Sequence, residues 1–138
     1  MSNGTYAAFY MEPECAQKLY HWCKSHGVQC QAPSELHCTV MFSRKPVNGA
    51  LQFNNLPIQT QAVVKGWKQL GNALTLELDF PVARRIFEGF IRIGASYDYD
   101  EYIPHTTVNL EYEGELPDVI PDFILHYDHV VVEELKED

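Results

Sequence analysis

His37-Cys38-Thr39-Val40 and His105-Thr106-Thr107-Val108 write the same pattern, His-x-Thr-Val, twice in one chain, 68 positions apart. On an extended strand, residues i and i+2 point to the same face. Each copy therefore sets an imidazole and a hydroxyl side by side on one surface. One such match is unremarkable in a chain with six histidines. Two matches, each followed by Val and each on a strand soon after a helix, point to a duplicated functional element.

The surrounding sequence supports that reading. Thr5 to Met11 is aromatic-rich and reads as a strand, with Pro13 just beyond it. Pro13 opens a helix to about His26, carrying Cys15, Leu19, Trp22 and Cys23 at helical spacing and closed by Gly27. The first motif lies in a strand predicted from about Leu36 to Phe42. The segment 46–57 is a turn-rich connection containing Asn48-Gly49 and Asn54-Asn55. Ile58 to Leu70 and Ala73 to Leu78 form a hairpin about Gly71-Asn72. Pro81 opens a second helix to about Ile93, ended by Gly94. The second motif opens a strand predicted from His105 to Tyr112, and Phe123 to Glu134 supplies the last one or two. The charged tail from Glu134 to Asp138 is expected to fray. Two helix-then-strand halves predict an α+β fold with internal pseudo-symmetry.

A length of 138 residues suits a single domain over 1–138. Ten Lys and Arg against nineteen Asp and Glu give a formal charge of −9. That balance argues against a surface for long nucleic acid, whose binding depends on neutralising phosphates. A small anion in a local pocket stays compatible with it. No apolar run approaches the length of a membrane span, and Met1 to Gly4 has neither a basic nor an apolar signal region. A cytoplasmic protein without a membrane partner is the expectation. Cys15, Cys23, Cys30 and Cys38 form no CxxC pair, and His21, His26, His126 and His129 show no ligand spacing. No metal and no cofactor are expected.

Two opposed imidazoles suit phosphodiester cleavage without a metal. A neutral one takes a proton from the attacking hydroxyl, and a protonated one gives a proton to the leaving oxygen. Two hydroxyls can donate to the non-bridging oxygens as charge builds there. These motifs resemble the 2H phosphoesterase superfamily, which implies a two-lobed α+β fold with pseudo-twofold antiparallel sheets and flanking helices around a central cleft. The length, spacing and flanking residues are closest to the phage anti-CBASS phosphodiesterases. The resemblance covers Gly4 to about Glu134.

That resemblance implies a host-cytoplasmic enzyme that degrades cyclic di- and trinucleotide immune signals, with His37, Thr39, His105 and Thr107 catalytic. It also implies substrate-binding roles for Tyr6, with Tyr10 as competitor, for Trp67 as a base-stacking ring, and for Glu133, with Glu134 as alternative. Arg44 and Lys45 are further candidates to guide a phosphate. The acidic loop from Tyr97 to Tyr102 is a candidate lid. Two other readings stand beside this one: a 2H enzyme of RNA ends or 2′–5′ linkages, and a non-catalytic sponge for cyclic nucleotides.

Overall fold

The computed structural model describes residues 4–47, 49–50, 54–98 and 101–135. Residues 1–3, Asn48 of the turn-rich connection, Tyr99 and Asp100 of the acidic loop, and 136–138 of the tail lie outside them, as do 51–53. The elements are β1 (Thr5–Met11), α1 (Pro13–Ser25), a short 3-10 turn (Pro33–Glu35), β2 (His37–Ser43), β3 (Leu56–Leu70), β4 (Ala73–Asp79), α2 (Pro81–Arg92), β5 (His105–Asn109) and β6 (Leu125–Glu134).

The strands close on themselves in the order β1-β2-β5-β4-β3-β6, with every pairing antiparallel. The two expected halves are therefore ribbons of one closed sheet. Thr5 and Ala73 begin β1 and β4, Pro13 and Pro81 begin the helices, and His37 and His105 begin β2 and β5. Each pair is separated by the same 68 residues as the motifs. The pseudo-twofold axis falls between β2 and β5, where Cys38 faces Thr106.

Both helices start on Pro at N1, where the missing amide hydrogen is not needed. Helix α1 buries Cys15, Ala16, Leu19 and Cys23, while α2 buries Ala83 and Phe90. These side chains join one hydrophobic core with Phe9, Leu76, Phe80 and Tyr127. The β3–β4 turn needs Gly71, whose φ of +59° an L side chain adopts only with strain.

Strand β3 begins two residues before the predicted start. Strand β5 stops at Asn109, short of the predicted Tyr112. There the Asn109 side chain accepts the Glu111 amide and bends the chain, leaving Leu110 exposed. The last segment is a single strand.

Among the described residues, no helix is long and apolar enough to cross a membrane.

Candidate functional site

Antiparallel register at Cys38 and Thr106 sets His37 across from Thr107 and Thr39 across from His105. Cys38 and Thr106 are fully buried on the core face. Thr106 shares a 2.6 Å hydrogen bond with the Tyr127 hydroxyl, and its own hydroxyl is thereby turned into the core. The four motif side chains flanking them alternate to the other face, each partly exposed. The two His/Thr pairs thus stand beside each other on adjacent strands, within cross-strand reach of one another.

The Val of each motif has its own part in this. On β2, Ala7 pairs with Met41 and Ala8 with Thr39, so Val40 is the extra residue of a β-bulge. On β5, Leu74 pairs with Asn109 and Thr75 with Thr107, so Val108 is the extra residue. Both valines are fully buried. A bulge re-aims the residues on either side of it. Here it brings Phe42 into phase with Thr39 and His37 on the Tyr6 face of β1.

Both imidazoles are held in the same way. His37 Nδ1 lies 2.6 Å from the Glu35 carbonyl, and His105 Nδ1 lies 2.7 Å from the Ile103 carbonyl. A carbonyl only accepts, so each Nδ1 carries the hydrogen and each Nε2 is left to the site. In the neutral ring Nε2 accepts a proton, and in the charged ring it donates one. Burial lowers the His105 pKa from its ordinary 6.5. Its hydrogen bond to Ile103 opposes that shift, and the neighbouring His37 adds to it.

Of the two tyrosines expected here, both reach the cluster by different contacts. The Tyr6 hydroxyl is 3.3 Å from Thr39 Oγ1, and burial raises its pKa, keeping it a neutral hydroxyl. Tyr10 stacks on the His37 ring at 5.0 Å. Glu133 is the cross-strand partner of Tyr6 and shares its face, whereas Glu134 pairs with Thr5, whose side chain is buried in the opposite direction. Geometry therefore sets Glu133, not Glu134, beside the motifs.

Trp67 is not brought to this cluster. It pairs with Leu76, a fully buried core-face residue, and so lies on the opposite face from the motif histidines. Its indole packs 6.2 Å from Trp22 of α1 and donates Nε1–H to the Val119 carbonyl at 2.6 Å. Truncation to Ala is expected to cost about 2 kcal/mol of stability, from lost packing and one lost hydrogen bond. Denaturant unfolding measures that loss. A normal unfolding midpoint, with weakened substrate affinity, would return Trp67 to the site.

Loop residues complete the surroundings of His105. Tyr102 is buried, stacks on Phe87 at 4.4 Å and donates its hydroxyl to the Thr39 carbonyl at 2.7 Å, which ties the loop to β2. It is an anchor and not a free stacking ring. Tyr97 lines two cavities that share His105. One of about 340 Å³ adds Thr39, Phe42, Arg44 and Asp98, and the other, of about 520 Å³, adds Leu70, Glu101 and Ile103. Arg44 is engaged by Asp98 at 2.8 Å, so it braces the loop against β2.

The pattern of the sequence missed two contacts of this face. His129 of β6 stacks on the far side of Tyr10 at 5.6 Å, and its Nδ1 lies 2.6 Å from Asp128. Cross-strand register joins His129 to Tyr10, so no local spacing marks that contact, and the Asp128 contact joins neighbours in the chain. Among the described residues, no three His, Cys, Asp or Glu side chains gather as a metal site.

A family model described as "Anti-CBASS protein Acb1" matches residues 3–138. The chain is 27% identical over 139 residues to the Anti-CBASS protein Acb1 of Vibrio phage KVP40, covering 99% of this chain and 87% of that protein. It is 27% identical over 125 residues to the protein of the same name from Escherichia phage RB16, covering 86% and 69%. Its fold is similar to TT0787 of Thermus thermophilus, with a TM-score of 0.63 at 16% identity, covering 96% of this chain and 90% of that one. The same holds for E. coli LigT complexed with 3′-AMP, with a TM-score of 0.60 at 14% identity, covering 99% and 97%. The 2H phosphoesterase-like α+β fold implied by the paired motifs is the fold of this chain.

Proposed function

This chain belongs to the Acb1 family of anti-CBASS proteins, and from that premise we propose that it is a metal-independent phosphodiesterase cutting the 3′–5′ bonds of cyclic di- and trinucleotide signals. The observation that carries the reading is the matched pair of imidazoles on paired strands, each fixed through Nδ1, which leaves Nε2 for proton transfer. Thr39 and Thr107 stand diagonally between them as donors to the phosphate.

The burial of His105 supports one assignment of the acid and base roles. Burial favours neutral His105, which suits it to take the proton of the ribose 2′-hydroxyl. The 2′-oxygen bonds to phosphorus as the bond to the 5′-oxygen breaks, and protonated His37 supplies that oxygen with a proton. The product end is a 2′,3′-cyclic phosphate. Water then opens it, with the two histidines exchanging roles. Tyr6 supports Thr39 through its hydroxyl, and Glu133 accepts a hydrogen bond from a base edge.

This assignment has a signed pH dependence. The acidic limb of kcat/KM reports deprotonation of the base and is expected below pH 6.5, because the His105 pKa is lowered. An acidic limb centred above that value in the wild-type profile removes His105 as the base. Stability carries the same sign. Below pH 6.5 the unfolded chain protonates this residue before the folded chain does, so its contribution is complete above 6.5 and is lost as pH falls toward the folded value.

The deciding experiment is incubation with EDTA against cyclic di- and trinucleotides and an RNA ending in a 2′,3′-cyclic phosphate, with products read by mass spectrometry. Linearised cyclic nucleotides are expected. Cleavage of the RNA end alone moves the enzyme to RNA processing. Tight binding without product makes it a sponge, and loss of activity in EDTA overturns metal independence.

A further inference from the structure

A phosphodiester carries a nucleoside on each side, so a site that holds the scissile phosphate has two flanks to fill. By the pseudo-twofold relation, the flank beyond His37 is β1 and β6, and the flank beyond His105 is β4 and β3. The two have diverged. Cross-strand from His105 is Glu77, ion-paired to Lys65 at 3.0 Å and near Lys68 at 3.9 Å. Cross-strand from His37 is Tyr10, followed by His129.

On that second flank, His37, Tyr10 and His129 form a continuous ladder of three rings. Successive centroids are 5.0 and 5.6 Å apart, with interplanar angles of 23° and 20°. The β1–β6 register shifts between Tyr10, which pairs with His129, and Met11, which pairs with Tyr127, so Asp128 is the extra residue of a bulge. That bulge puts the Asp128 carboxylate 2.6 Å from His129 Nδ1. The carboxylate fixes the ring orientation and leaves Nε2 outward. The His129 side chain keeps 40% of its surface exposed. An aromatic stack that starts at a catalytic imidazole and ends on an exposed, oriented ring has the form of a platform for a flat ligand group.

We propose that His129, held by Asp128 and stacked on Tyr10, is the platform for the nucleobase of one of the two nucleosides flanking the scissile phosphate. The inference rests on the phosphodiesterase reading above and adds a specificity-determining residue to it. It also gives the site the exposed base-stacking ring that Trp67 does not supply. The ladder extends away from His37 on the side opposite the loop cavity, so it serves the second nucleoside while the cavity takes the first. A substrate with one nucleoside then has no use for it.

The test compares a cyclic dinucleotide with a 2′,3′-cyclic mononucleotide in wild type, His129→Ala and His129→Phe. For His129→Ala, KM for the dinucleotide is expected to rise about tenfold at unchanged kcat, a loss of the size found for one base stack. KM for the mononucleotide should move less than twofold. His129→Phe keeps a ring and should recover most of the dinucleotide affinity. Equal rises for both substrates would mean that His129 only supports His37, and no rise would leave the base elsewhere; either overturns the proposal. Wild-type enzyme that opens the mononucleotide but no cyclic dinucleotide overturns the substrate reading instead. The platform is then judged on binding of a linear dinucleoside monophosphate, whose 3′–5′ phosphate has a nucleoside on each side and whose affinity must fall about tenfold in His129→Ala; unchanged affinity overturns the platform.

Discussion

Replacing His37 or His105 with Ala is expected to lower turnover by about 10²–10⁴-fold, the usual contribution of a positioned acid or base. The loss should appear in kcat more than in KM, because proton transfer is a feature of the transition state. Both rings are partly exposed and each makes its hydrogen bond to a carbonyl at the strand entrance, so removal leaves the core untouched. The double variant should fall little below the weaker single variant, since acid and base act in one proton-transfer sequence. Kinetics of the three variants, each with a thermal melt, decide the matter. A single variant within tenfold of wild type and normally folded sinks the assignment.

The second large effect belongs to the hydroxyls. Thr39→Val and Thr107→Val keep shape and β preference but remove the donor. Each should lower kcat by about 10²–10³, as for deletion of one group from an oxyanion site. Thr39 needs a control because its hydroxyl also meets Tyr6 at 3.3 Å. Tyr6→Phe separates the two, with an expected cost of about tenfold or less for one supporting hydrogen bond. If Tyr6→Phe costs as much as Thr39→Val, the phenol is the working donor and Thr39 merely positions it. Buried Thr106, between the two catalytic candidates, serves as an internal contrast. Its hydroxyl bonds Tyr127 in the core, so Thr106→Val should register in unfolding more than in kcat.

Much of the fold was legible because its signals are local. Pro at the first turn of each helix, Gly71-Asn72 in the hairpin, the aromatic-rich run of β1 and the alternation along β3 are properties of neighbouring residues. The extent of β5 was less legible: a strand pattern runs on to Tyr112, but the Asn109 side chain captures the Glu111 amide and turns the chain first. Around the site, Tyr6 and Tyr10 share a face by strand parity, and the sequence had no means to rank them. The fold gives them separate contacts, Tyr6 to the Thr39 hydroxyl and Tyr10 to the His37 ring.

What the sequence determined by itself is the pair of His-x-Thr units, because an i, i+2 relation on a strand is fixed by backbone geometry within three residues. The repeat also implied two related halves. What only the tertiary structure decided is everything that depends on which strand lies beside which. The closed order puts the two motifs on adjacent strands, and the bulges at Val40 and Val108 set their phase. Pairing with Leu76 turns Trp67 onto the core face, and pairing with Tyr6 selects Glu133 over Glu134. A one-residue shift in register moves a side chain to the opposite face of a sheet. Register is set by hydrogen bonds between residues far apart in the chain, and no local spacing contains it.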